Sequence, residues 1–143
     1  MEKKTLIELL QKAKEEHVQC MVSAQDLTED GYIQRKNTSI DVSECIFGKW
    51  LQTEGKEILS LPGMNVLKDI EVKHFDLHDV YTNILSIYAP DKNKNFISKI
   101  FPFQVRVSPE QEAKAKDEFL TLNKIFDELR TMFLRLERYL AAL

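Results

Sequence analysis

Leu67-x-x-Ile70-x-x-x-His74-x-x-Leu77-x-x-x-Tyr81-x-x-Ile84-x-x-x-Tyr88 advances by alternating steps of three and four residues. A helix of about 3.6 residues per turn keeps all of these positions on one side, whereas a strand requires a step of two. The marked side is apolar except where His74 falls between Ile70 and Leu77. His78 follows one turn later, about 40° around the axis, so both rings leave the same face. An i, i+4 histidine pair is by itself common on helix surfaces. A ring on a core-facing seam, however, must find a hydrogen bond or a ligand role.

Similar seams lie on either side. Residues 3–25 read as a helix through Leu6, Leu10, Ala13, His17, Cys20 and Ala24. Asp30-Gly31 and the polar residues through Asn37-Thr38-Ser39 read as a loop. Asp41, with Glu44 three residues on, reads as the N-cap of a short helix. That helix carries Cys45, Phe47 and Trp50 and is expected to stop at Gly55. Leu61-Pro62-Gly63 and Ala89-Pro90-Asp91 bracket the helix of the opening stretch. The last helix starts at Ser108-Pro109-Glu110, a cap followed by proline at the first helical position. Its seam is Ala115, Phe119, Leu122, Phe126, Leu129, Phe133, Leu136, Leu140 and Leu143, beside a second row of Ile125, Met132 and Tyr139. Phe103, Val105 and Val107 alternate with polar residues like an edge strand, whose partner is expected within residues 32–39. The expectation is an all-α, four-helix-bundle-like fold with an extra short helix and a small β-like insertion at 92–107, forming one domain over residues 1–143.

Composition agrees and narrows the functions. Of 143 residues, 43% are apolar and 30% charged, as in a soluble globular chain. The net charge of -3 is scattered without a basic run, which argues against nucleic acid as a partner. No apolar run approaches the roughly 20 residues of a membrane span. Two cysteines in unlike contexts and no secretory signal argue against a disulfide framework and for a cytoplasmic location.

His17, Cys45, His74 and His78 are the candidate ligands of one metal ion. They include every histidine and one of the two cysteines, and they come from three separate segments. One thiolate and three imidazoles make a tetrahedral set that suits Zn²⁺. The alternative for each is bland: a satisfied core histidine, or a cysteine acting as a small hydrophobe. No histidine remains for the surface, which weakens that alternative. Gly48 leaves a gap on the face of Cys45, and Trp50 is expected to pack beside the site and exclude water. Cys20 is either a seam filler or a second thiol near the metal. Glu71, on the face of His74 and His78, reads as a solvated surface carboxylate or as an acceptor for an imidazole N–H.

Cys45-Ile46-Phe47-Gly48-Lys49-Trp50, with His17 upstream and His74-x-x-x-His78 downstream, resembles the chemoreceptor zinc-binding domain family. The likeness covers about residues 6–81, and every position of that motif is matched; the last helix agrees in character only. The stretch 87–109 is longer and more β-like than the family's usual link. The resemblance implies a cytoplasmic bacterial sensory module of bundled helices, usually a homodimer. In that family the module is fused to chemoreceptors or diguanylate cyclases, or works beside a signalling partner protein. It also implies Zn²⁺ on His17, Cys45, His74 and His78, with zinc or oxidants such as hypochlorous acid as signals. Four protein ligands leave no place for a substrate water, so no enzyme is expected. A zinc hydrolase with Cys45 merely adjacent is disfavoured, because Phe75 stands where a His-Glu-x-x-His motif places its glutamate. The remaining alternative is a metal-free structural helical interaction bundle.

Overall fold

A computed structural model describes residues 3–33, 45–59, 65–88, 103–104 and 106–142. The elements are α1 (Lys3–Asp30), β1 (Tyr32–Ile33), α2 (Ile46–Gln52), α3 (Glu54–Leu59), α4 (Asn65–Tyr88), β2 (Phe103–Gln104) and α5 (Pro109–Ala142). The fold is all-α. α5 lies along both α4 and α1, and the short α2 and α3 pack against each other, with α2 also against α1 and α3 against α4. The expected breaks at Leu61-Pro62-Gly63 and Ala89-Pro90-Asp91, Val105 and Leu143 lie outside the described residues, as does most of 92–107.

Each long helix buries the side its spacing marks. On α4, Leu67, Ile70, His74, Leu77, Tyr81, Ile84 and Tyr88 are all buried, joined by His78 and Leu85. On α5 the buried residues are Ala115, Leu122, Leu129, Phe133, Leu136 and Leu140, while Phe119 and Phe126 are half-buried. Fully buried leucines such as Leu67, Leu77 and Leu122 contribute about 1.5–3 kcal/mol each relative to exposure. On α1 the seam drifts by one position, so Met21 is buried and Cys20 is half-buried. A straight helix drifts by about 20° per heptad against a strict 3.5 repeat, which accounts for the shift.

The ends of the elements have identifiable causes. α1 runs five residues past the expected end at 25, because Leu27 and Thr28 continue the buried face. It stops at Gly31, whose φ of 63° and N–H bond to the Leu27 carbonyl (2.8 Å) form a left-handed cap. At the start of α5, the Gln111 N–H donates to Ser108 Oγ (3.2 Å) and the Ser108 N–H donates to Gln111 Oε1 (3.3 Å). That is a reciprocal capping box ahead of Pro109. Tyr32 pairs with Gln104 and Ile33 with Phe103 in an antiparallel ladder of two residues per strand.

The short helix departs from expectation at both ends. Its N-cap is Cys45, in extended conformation, with Sγ accepting the Gly48 N–H at 3.1 Å. The expected cap Asp41 and its partner Glu44 lie outside the described residues. Its end is Thr53, not Gly55: the Thr53 N–H bonds to the Trp50 carbonyl (3.1 Å) and Oγ1 to the Lys49 carbonyl (2.9 Å). Gly55 sits instead inside α3, beneath the Trp50 ring. A Cβ there would lie 3.0 Å from the Trp50 carbonyl oxygen and 3.1 Å from two ring carbons.

Gly55→Ala separates two opposed effects. Helix propensity alone favours alanine by about 1 kcal/mol, whereas forcing a methyl against a fixed carbonyl and an indole costs about 1–3 kcal/mol. The expected outcome is net destabilisation, read as a lower urea midpoint at unchanged m-value.

Candidate metal centre

α1 supplies His17, the N-cap of α2 supplies Cys45, and α4 supplies His74 and His78; all four are buried. Their donor atoms lie within 4.8 Å of one another. Cys45 Sγ stands 3.1 Å from His74 Nε2, and His78 Nε2 stands 3.1 Å from the same atom. A tetrahedral zinc with nitrogens at about 2.0–2.1 Å and sulfur at about 2.3 Å has ligand–ligand edges of roughly 3.3–3.6 Å. The two close pairs already have that scale, and a separation of 4.8 Å needs to contract by about 1.2–1.5 Å.

The rings are arranged to point lone pairs inward. His17 is edge-on to His74 (4.7 Å between centroids, 87°) and to His78 (5.5 Å, 87°). Its Nδ1 lies 2.6 Å from the Ala13 carbonyl oxygen. A carbonyl only accepts, so Nδ1 carries the proton and Nε2 presents a lone pair. That Nε2 is buried and has no hydrogen-bond partner among the described residues. A fixed tautomer with an orphaned nitrogen is the arrangement that a ligating histidine requires, and it is the structural test that the donor set passes.

Burial holds the imidazoles in the ligating, uncharged form. Desolvation lowers His17 to about 4, against a weaker opposing effect of its Ala13 bond. His74 falls to about 2, first from desolvation and then from His17 and His78. Burial pushes the Cys45 thiol up to about 12; the Gly48 N–H opposes this and the Glu16 carboxylate adds to it. Without an ion the sulfur therefore keeps its proton, and binding a cation displaces it. The site can take up a soft or borderline cation.

All four expected ligands converge. Cys20 does not join them; burial first, and then Glu16, raise its thiol to about 11. Phe47 stacks with Trp50 (5.8 Å, 24°) and sets its edge against His74 (5.1 Å, 87°) and Phe133 (5.1 Å, 79°), which walls the centre with aromatic rings. Glu71 is exposed, on the wall of a cleft of about 420 Å³ between α2 and α4. The carboxylate that acts on the Cys45 and Cys20 thiols is Glu16, which the sequence reading passed over. Its signal was adjacency: it immediately precedes His17 and lies one turn before Cys20. No family model, curated protein or solved structure matches this chain.

The lowered histidines fix a pH dependence for the metal-free protein. The unfolded chain protonates these rings near 6.5, while the folded state resists down to about 4 at His17 and about 2 at His74. The unfolded state therefore binds more protons, and stability falls as pH drops below 6.5. The slope is up to about 1.4 kcal/mol per pH unit for each histidine. Urea unfolding of chelator-treated protein from pH 7.5 to 4.5 should show this decline. A flat profile would contradict the burial of neutral rings.

Proposed function

We propose that the chain is a zinc-binding sensory or regulatory module without catalysis. The observation that carries this reading is the convergence of three imidazoles and one thiol in a dry core, with His17 Nε2 left orphaned. Among divalent ions, a mixed nitrogen and sulfur tetrahedron favours zinc. The match to the motif of the chemoreceptor zinc-binding family supports the same ion and a bacterial, cytoplasmic signalling context. A metal-free structural bundle is disfavoured, because it leaves a buried nitrogen unpaired at a cost of about 1–3 kcal/mol.

The sensory part of the reading rests on Cys45. Its sulfur is at once a donor to the centre and the cap of α2, through the Gly48 N–H. A change in the chemistry of that sulfur therefore acts at once on the centre and on the start of α2. Phe47 then links α2 to Phe133 on α5. α5 carries half-buried Ile125 and Met132 and exposed Tyr139 at steps of seven residues, an apolar row suited to a second copy or a signalling partner. Zinc itself, or an oxidant such as hypochlorous acid that transfers oxygen to the thiolate, is the proposed signal.

Elemental analysis of protein purified without added metal is expected to find one zinc per chain. Cys45→Ser, or mild oxidant on the zinc-loaded protein, should raise hydrogen exchange across residues 45–59 more than in α1, α4 or α5. Zinc-free protein with intact helices would exclude the metal reading; uniform exchange would exclude the switch. Light scattering at tens of micromolar should give the mass of a dimer, and Tyr139→Glu should shift it towards the monomer.

A further inference from the structure

All four donors are buried, so an ion reaches them only through a gap in the packing or an opening of a helix. Two cavities bear on this. One, of about 240 Å³, lies where the ends of α1 and α4 meet the start of α5, and none of the donors lines it. The other, of about 420 Å³ between α2 and α4, has His74 and Gly48 on its wall. Both of these residues are buried, so they form its inner end, and both touch the centre. His74 Nε2 is the atom that Cys45 Sγ and His78 Nε2 each approach at 3.1 Å. The Gly48 N–H donates to the Cys45 sulfur, and Gly48 puts no side chain into the passage. Val72 and Phe75, 60% and 58% exposed, form the rim.

Charge and polarity along the cleft suit a divalent cation. Exposed Glu71 and half-buried Asp76 both line it, and among the described residues no lysine or arginine does. Lys73 lies between them in the sequence but pairs with Glu128 on α5. Leu51, Val72 and Phe75 supply apolar walls. A cleft with low-dielectric walls and charge of one sign concentrates counter-ions and speeds their arrival. We propose that this cleft is the route by which the metal ion enters and leaves the centre, with Glu71 and Asp76 drawing it in and His74 as the first donor it meets. This rests on the metal-binding reading above and concerns how fast that site exchanges. Neither carboxylate belongs to the four convergent donors, so they act on passage and not on the bound state. A site that reports a changing metal supply must exchange as fast as the supply changes. A passage ending at His74 provides this without unfolding α2.

The test uses the full chain with zinc as the probe. Uptake by metal-free protein is followed in stopped-flow with a zinc-sensitive dye and with the fluorescence of Trp50, the one tryptophan of the chain. Release is followed by transfer to a chromogenic chelator, at concentrations where the rate no longer depends on it. Val72→Lys and Val72→Glu place opposite charges on the exposed rim, and Leu120→Lys makes the same change at an exposed position of α5 that lines no part of the cleft. Helical content by circular dichroism and equilibrium affinity are recorded for each variant. At low ionic strength, uptake should slow about tenfold in Val72→Lys and in Glu71→Gln with Asp76→Asn, and quicken in Val72→Glu. The differences should shrink at about 0.5 M salt. Release should slow in the same variants and leave the affinity nearly unchanged, because a passage alters both rates and not the equilibrium. Leu120→Lys should match the parent. Equal slowing in Leu120→Lys would overturn the route, leaving net charge as the cause. Uptake unchanged by either Val72 variant and by the paired carboxylate variant would overturn it in favour of entry by opening of α2. Faster release with unchanged uptake in the paired variant would overturn it by making those carboxylates part of the bound site. A parent that binds no zinc would overturn both the route and the metal reading.

Discussion

Three imidazoles and a thiol turned into an apolar interior impose a condition on the rest of the molecule. Each polar atom must find a partner where water is excluded. His17 meets half of the condition with the Ala13 carbonyl on its own helix, and its other nitrogen faces His74 and His78. His74 is the hub, with Cys45 Sγ and His78 Nε2 each 3.1 Å from its Nε2. Because the donors come from α1, α2 and α4, their convergence sets the relative depth of those helices as well as the chemistry. An ion shared among the four would satisfy all of them together, which pairwise hydrogen bonds cannot do for three ring nitrogens facing one point.

The helices outside this point hold it from two directions. α5 is the long brace: its apolar side closes the core over α1 and α4, and Phe133 packs near both His17 (6.4 Å) and Phe47 (5.1 Å). Lys14 with Glu137 (3.1 Å) and Lys73 with Glu128 tie α5 to α1 and α4 at the rim. Such partly exposed pairs contribute about 0–1 kcal/mol each, so they orient the brace more than they stabilise it. α2 is held differently. It is short, broken from α3 at Thr53, and anchored by Phe47, Trp50 and its own cap sulfur. A seven-residue helix has little stability of its own, which makes it the element most sensitive to the state of Cys45.

Much of this was legible in the sequence, because the period of a helix and the need to bury its apolar side are local properties. The steps of three and four marked the buried faces of α1, α4 and α5 residue by residue. The placement of every histidine on or beside such a face named the donors before any geometry. Ser108-Pro109 fixed the start of α5 in the same way, since a cap and a proline act within one turn.

The sequence by itself determined the fold class, the long helices and the four candidate ligands. Tertiary structure decided what depends on neighbours distant in the chain. Met21 and not Cys20 faces the core because the drift of a straight helix accumulates against its partners. α2 breaks at Thr53, and Gly55 is retained, because the Trp50 ring lies over the following turn. Glu16 and not Glu71 acts on the Cys45 thiol, 29 positions further along the chain, while Glu71 faces an open cleft. Spacing reports which side of a helix a residue occupies; only the packing of helices reports what stands opposite it.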